Sequence, residues 1–197
     1  MLHWRNSGQS AELLEEFKAT NSIENHVANS FPIRWVATHV NFFKVNFDAS
    51  WSKVDCNVRI GVVVRDHKGE FYAAMSKVGV RVDSAEVAEL VVAREVLVFA
   101  IEVGFLDTML EGDNMVVMQS LRSNIDGLAS GGTILTDMIN LRALCNILYF
   151  SFVKGEGNSV AHSFAKFDIS IFDYVVWLED PPIWVEELLY SDVNFLS

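Results

Sequence analysis

A change of hydrophobic period part-way along the chain constrains its fold more than any other feature. Residues 42–50, FFKVNFDAS, alternate apolar and polar side chains, which is typical of a strand with one buried face. Residues 58–66 and 70–78 are also strand-like, and HKG between them predicts a turn. Residues 84–104 lack helix breakers and are apolar nearly all round, which predicts a helix buried against a sheet. The order predicts an antiparallel meander of three strands followed by a packed helix.

The segments that follow add both strands and helices to this start. They are a strand at 105–110, helices at 114–123 and 133–146, a strand at 147–155 and a closing helix at 158–167, with Asn158 expected as the N-cap of the last. Three strands, then helix, strand, helices, strand and helix predict an α/β fold: a mixed sheet with helices on both faces. In such sheets ligand chemistry gathers at strand ends.

Length and composition predict one domain with an extension at each end. A chain of 197 residues with 51% apolar content is long enough for one compact domain, which we place at 42–170. Residues 1–41 form an N-terminal extension in which Leu13, Leu14 and Phe17 have the spacing of a short amphipathic helix. Residues 171–197 form an acidic, apolar C-terminal tail.

Cysteine usage and hydropathy exclude several classes of protein. The two cysteines, Cys56 and Cys145, are far apart and fit neither a disulfide framework nor a zinc site. The longest apolar stretch, residues 87–105, is interrupted by four charged side chains, and the N-terminus lacks a signal-peptide pattern. We therefore expect a soluble intracellular monomer, nuclear or cytoplasmic, with no membrane partner. No basic localisation run distinguishes the two compartments.

The net charge of −11 argues against a polyanionic partner, but its distribution weakens that argument. The tail at 171–197 contains six acids and no Lys or Arg, whereas residues 42–170 contain sixteen acids against twelve bases. If some acids of the central domain bind metal ions, its working surface approaches neutrality.

Three acids of the central domain do not fit a purely structural role. Asp48 lies mid-strand, where aspartate is disfavoured, although that face could simply be solvated. Glu89 lies on an apolar face of the long helix, where an unpaired charge is costly; Asp83 is expected to cap that helix. Asp113 ends a strand, where it could equally be a helix N-cap. Together these side chains offer the oxygen ligands that Mg²⁺ or Mn²⁺ prefers, and two such ions make a phosphodiester site.

The segments that carry these acids resemble the type 1 ribonuclease H-like domain, in the form found in plant retrotransposon-derived reverse-transcriptase-like proteins. The matching segments cover about residues 42 to 168 in order: KVNFDASW, GVVVRDHKGEF, AEVAELVVAREVLVFAIEVGF, LEGDNMVVMQSL and FVKGEGNSVAHSFAKF. The resemblance implies a ribonuclease H-like fold with a five-stranded mixed sheet in the order 3-2-1-4-5. It also implies a site of four acids binding two Mg²⁺.

The resemblance assigns the site residue by residue, with one departure. Asp48, Glu89 and Asp113 match the first three acids, but the fourth position, on the last helix, is His162. A neutral nitrogen there weakens one metal position and favours Mn²⁺, which tolerates imidazole better than Mg²⁺ does. The basic protrusion of many relatives is replaced by RSNIDGLASGGT, so we expect weak, salt-sensitive binding of nucleic acid.

The resemblance implies a metal-dependent endonuclease that cleaves RNA in RNA–DNA hybrids and leaves a 3′-hydroxyl and a 5′-phosphate. Asn46, Ser50 and Asn158 are the polar side chains expected to line the substrate groove, where 2′-hydroxyl contacts identify RNA. The alternative is a catalytically weakened or inactive ribonuclease H-fold module that binds nucleic acid or protein. A protein-only scaffold would instead use the tail. Its apolar residues could dock on a partner or pack on their own domain: Trp177, Trp184, Leu188 and Leu189.

Overall fold

Six strands form one mixed sheet in the computed structural model, which describes residues 34–52, 57–79, 81–82, 84–126, 133–167 and 173–194. The strands are β1 (Phe43–Trp51), β2 (Val58–Arg65), β3 (Phe71–Val78), β4 (Asp107–Gly112), β5 (Ile147–Phe152) and β6 (Tyr174–Leu178). The helices are α1 (Ala85–Val103), α2 (Met115–Asp126), α3 (Thr133–Arg142), α4 (Ser159–Lys166) and α5 (Glu186–Val193). The amphipathic helix expected within residues 11–30 lies outside the described residues.

The first five strands follow the predicted topology. β1, β2 and β3 form the antiparallel meander, β4 is parallel to β1, and β5 is parallel to β4. The predicted order 3-2-1-4-5 is therefore confirmed within the observed order β5-β4-β1-β2-β3-β6.

The predicted strand count of five is wrong, because the segment regarded as a tail supplies a sixth strand. Residues 174–178 pair antiparallel with β3, so that Trp177 lies opposite Ala74. The error has a physical reason. The segment YVVWL is apolar throughout, so it lacks the alternation of apolar and polar residues that would identify it as an edge strand.

Helices cover both faces of the sheet, as predicted. On the first face, α1, α2 and α3 enclose the main core with side chains from β1, β2, β3, β4 and β5. On the second face, α4 and α5 enclose a smaller core around Val63, Ala74 and Phe164. Among the described residues, no helix is both long enough and apolar enough to span a membrane.

The start of α1 differs from the expectation by one residue. The N-cap is Ser84, whose hydroxyl accepts a hydrogen bond from the Val87 amide at 3.3 Å, and Asp83 lies outside the described residues. The helix ends at Gly104, which adopts the left-handed conformation (φ 94°) that closes a helix cheaply only with glycine. The capping glycine confirms the predicted end of the helix.

Close approach of α4 to the sheet depends on a glycine in β2. A Cβ added at Gly61 would lie 2.1 Å from the carbonyl oxygen of Ala161 and 2.1 Å from the amide nitrogen of Ala165. Both atoms belong to the α4 backbone, which cannot rotate away as a side chain can. Because Gly61 lies opposite Asp48 in the β1–β2 register, this contact also sets the position of α4 over Asp48.

Replacing Gly61 with alanine is therefore expected to displace α4 and to destabilise the fold by about 2–3 kcal/mol or more, as overpacking against rigid backbone does. Urea denaturation followed by circular dichroism measures the loss. Gly155→Ala is the matched control, because a Cβ there meets only Asp113 Oδ2, at an ordinary 3.7 Å. Equal stabilities of the two variants would contradict the role assigned to Gly61.

Candidate active site

Asp48 and His162 form a direct hydrogen bond between the sheet and α4. The distance between Asp48 Oδ2 and His162 Nδ1 is 2.8 Å, with the aspartate side chain 8% exposed and the histidine side chain 49% exposed. Because an ionised carboxylate only accepts, Nδ1 donates the proton, and in the neutral ring Nε2 is then an acceptor. The structure thus brings the predicted first-strand and last-helix residues together.

Glu89 lies on α1 among buried neighbours and faces the other acids. Burial raises the pKa of its carboxyl group to about 8, with further contributions from the charges of Asp113 and Asp48. A hydrogen bond from the Asn114 side chain opposes this shift. Glu89 therefore holds a proton at neutral pH unless a cation compensates its charge.

Asp113 occupies the junction between β4 and α2 without capping the helix. The capping role belongs to Asn114, whose Oδ1 accepts a hydrogen bond from the Val117 amide at 3.2 Å. The Asp113 carboxylate is thereby left to face Asp48. Burial raises the pKa of Asp113, and the charge of Asp48 raises it further, while a backbone hydrogen bond and the proximity of His162 lower it.

The four predicted ligands therefore lie in one electrostatically coupled cluster, but they do not yet converge on a common point. Within the described ranges, no three His, Cys, Asp or Glu side chains are grouped so that they could hold a metal ion as they stand. The chemistry of the donors nonetheless fits a divalent cation. Burial raises the pKa values of the Glu89 and Asp113 carboxyl groups, and neighbouring negative charge raises them further, a repulsion that a cation relieves.

Two of the three predicted substrate-lining residues are placed elsewhere, and these predictions are corrected. Asn158 is buried, and its Nδ2 donates to the Phe47 carbonyl at 2.8 Å. Asn158 occupies the predicted N-cap position of α4, but its side chain makes no capping hydrogen bond. Asn46 is buried as well, beneath the segment that contains Trp35. Only Ser50 is partly exposed and remains a candidate for the groove.

Asn46 is the centre of a buried polar network that also includes the Lys44–Glu111 ion pair and the Arg65 guanidinium. Its Oδ1 accepts from Trp35 Nε1 at 3.0 Å and from Arg65 at 3.1 Å, and its Nδ2 donates to Glu111 at 3.0 Å. Lys44 Nζ lies 2.9 Å from Glu111 Oε2. The Arg65 guanidinium lies 4.2 Å from the centre of the Trp35 ring. The network therefore buries the polar side chains of Lys44 and Asn46 on β1.

Sequence reasoning missed two residues that shape this region. Asn114 both caps α2 and donates to Glu89, and its only signal was its place directly after Asp113. Arg65 bonds Asp192 on α5 at 2.7 Å, a contact between residues 127 positions apart that no local pattern predicts.

Comparison with known families identifies the domain that carries this cluster. Residues 46–168 match a family model described as reverse transcriptase-like, which covers more than half of the chain and contains all four predicted ligands. The chain belongs to the reverse transcriptase-like family. The expected ribonuclease H-like domain is thereby confirmed, while an origin in a plant retroelement stays a prediction. None of the curated proteins matches the sequence.

Solved structures share the fold of this reverse transcriptase-like domain at low sequence identity. RNase H1 from the halophilic archaeon Halobacterium salinarum is 17% identical with a TM-score of 0.53, covering 63% of this chain and 94% of that one. LC11-RNase H1 in complex with an RNA/DNA hybrid is 15% identical with a TM-score of 0.52, covering 62% of this chain and 92% of that one. At these identities the similarity establishes the ribonuclease H-like fold.

The raised pKa of Glu89 predicts a pH-dependent penalty on folding. The folded domain holds this proton more tightly than the unfolded chain, so the penalty begins above pH 4.5 and is complete above about pH 8. Without divalent ions, Glu89→Gln is therefore expected to exceed wild type in stability by about 2–4 kcal/mol at pH 9 and to match it near pH 4.5. Urea denaturation across this pH range measures the difference. A pH-independent difference, or the same profile in the exposed control Glu102→Gln, would contradict the assignment.

The buried Lys44–Glu111 pair predicts a second effect on stability, of opposite sign. Glu111→Gln leaves the Lys44 ammonium buried without its carboxylate, which is expected to cost about 3 kcal/mol or more. Asp137→Asn breaks the Arg94–Asp137 pair, which is more exposed, and is expected to cost less than about 1 kcal/mol. Denaturant midpoints of the two variants provide the comparison. Similar losses would show that the polar network contributes no more than a surface pair.

Proposed function

We propose that this protein binds nucleic acid and cleaves the RNA strand of RNA–DNA hybrids in a reaction that depends on divalent cations. One observation carries the proposal. On a ribonuclease H-like sheet, β1, α1 and the end of β4 bring three carboxylates together, and burial followed by their mutual repulsion raises the pKa values of Glu89 and Asp113. Such a cluster requires positive charge before all its members ionise together near neutral pH.

Asp48, Glu89, Asp113 and His162 are the residues that would hold Mg²⁺ or Mn²⁺. When bound, such cations supply Lewis acids for a phosphodiester and its attacking water. The carboxylates provide the hard oxygen donors that both ions accept, whereas His162 Nε2 provides a softer donor. This donor set supports the proposal that Mn²⁺ is the better cofactor.

The protein's own groups also control where protons are held. His162 donates from Nδ1 to Asp48, which orients the imidazole. Asn114 donates to Glu89 and so favours the ionised form that a metal ligand requires. The exposed Arg59, opposite Ser50 in the β1–β2 register, is a candidate phosphate contact close to Asp48.

A second candidate function is supported by the same hydrogen bond. Asp48 Oδ2 is already engaged by His162, and no three described side chains are grouped as a ready metal site. A domain that keeps the fold and binds hybrid without efficient cleavage fits these two facts. The two functions differ in whether hybrid is hydrolysed, not in whether it is bound.

Cleavage of a fluorescent RNA–DNA hybrid by wild type and by Asp48→Asn distinguishes the two functions. The proposal predicts hydrolysis by wild type in Mn²⁺ and a loss of about 100-fold or more in Asp48→Asn, the scale of losing one essential polar group. Asp137→Asn is the matched control at a surface ion pair and should retain full activity. Hybrid binding without hydrolysis by wild type would select the binding module, and absence of both would contradict each function.

The histidine at the fourth position predicts a specific gain of function. His162→Asp supplies the missing carboxylate, so Mg²⁺-supported cleavage should rise at least about tenfold and the preference for Mn²⁺ should fall. His67→Asp, on the turn after β2, controls for added negative charge. Wild-type activity in Mg²⁺ equal to or better than that in Mn²⁺ would contradict the proposed metal preference.

A further inference from the structure

The edge strand β6 presents an apolar strip that the described residues leave exposed. Its side chains alternate: Trp177 points into the second face, 5.2 Å from the Phe164 ring, whereas Tyr174, Val176 and Leu178 point to the first face. These three are 60%, 37% and 56% exposed. Trp184 packs beside Phe164, and Leu189 is buried. With Trp177, these residues of the tail therefore pack on their own domain.

The strip is exposed because the helical layer does not extend to the sheet edge. On β3 the neighbouring positions, Ala73 and Met75, are buried in the main core. α1 packs on β1, β2 and β4 and is linked to β3 by the Lys77–Glu95 ion pair at 2.6 Å. β6 lies one strand further out and is the last strand of the sheet that the described residues form, so within this part of the chain it offers both an apolar face and an unpaired backbone edge.

Acidic side chains border this strip at both ends. Asp173 precedes β6, and Glu179 and Asp180 follow it; all three are exposed. In the described part of the chain, none of the three makes an ion pair, and residues 171–197 contain no Lys or Arg. Natural edge strands are commonly protected by lysines or inward charges, and β6 has neither.

Charge decides which occupant fits the edge. A second copy would bring the same three acids and another net charge of −11 to the contact, and a nucleic acid would bring phosphates. An extended peptide with alternating apolar side chains and flanking lysines or arginines matches the apolar strip, the unpaired backbone edge and the flanking acids. Its backbone continues the sheet, its apolar side chains cover Tyr174, Val176 and Leu178, and its cations face the acids.

We propose that β6 is a docking edge for a basic, extended segment of a protein partner, added antiparallel or parallel as a seventh strand. The contact is small, so it is a weak, reversible one with a Kd on the order of 10–100 μM, at the low end of specific interfaces. It lies apart from the acidic cluster, on the opposite side of β3, and does not depend on the proposed nuclease activity.

Two synthetic peptides test the proposal in fluorescence anisotropy with the full chain. Both have alternating valine and threonine; one is flanked by lysine pairs and the other by glutamate pairs. Wild type is expected to bind the lysine peptide at least about tenfold more tightly than the glutamate peptide, with affinity falling as salt rises. Equal binding of both peptides, or binding of neither, would overturn the proposal.

Variants locate the binding on β6. Val176→Lys places a cation in the strip and is expected to weaken lysine-peptide binding at least tenfold, whereas Val116→Lys, at a 70% exposed position on α2, should leave it unchanged. A Glu179→Gln, Asp180→Asn double variant, which leaves the strip intact, should weaken it severalfold. Equal effects of Val176→Lys and Val116→Lys would overturn the proposal. Sedimentation that shows a wild-type dimer lost in Val176→Lys would replace the basic partner with a second copy.

Discussion

The contact between α4 and Gly61 determines what the second face of the sheet can do. Because Gly61 has no side chain, the α4 backbone packs directly against β2 at the position that pairs with Asp48 of β1. That approach brings His162 within hydrogen-bond distance of Asp48 and places Phe164 in the smaller core. β6 and α5 then pack on Phe164, so the C-terminal part of the domain depends on the same approach.

Positive charge is scarce where the site needs it, and this shortage explains much of the electrostatics. Lys44, on the polar face of β1, and Arg65, beside it, are paired with Glu111 and Asp192. Burial and repulsion therefore raise the pKa values of Glu89 and Asp113, and His162 is the partner that Asp48 obtains from the fold. Carboxylates that lack compensating positive charge favour the binding of cations. The affinity also depends on how far the side chains must move to converge on one ion.

Local pattern predicted the parts of the molecule that depend on period, and long-range packing determined the rest. Alternation in β1 correctly placed Asn46 and Asp48 on one face, but it gave no sign that Trp35 and Arg65 would bury Asn46. The apolar surroundings of Glu89 singled it out because a buried charge demands a reason. Asn158 holds the N-cap position that its place before a helix predicts, but its buried amide bonds the distant Phe47 carbonyl and does not line the groove. β6 was missed because its identity as a strand depends on pairing with β3, about 100 residues earlier in the chain.

Anomalous diffraction from crystals grown with Mn²⁺ locates a bound cation without reference to activity. A peak bounded by Asp48, Glu89 and Asp113 is expected, with these three side chains drawn together around it. Density in which the three acids stay apart and bind no ion, at Mn²⁺ concentrations that saturate any activity, would contradict the proposed metal site.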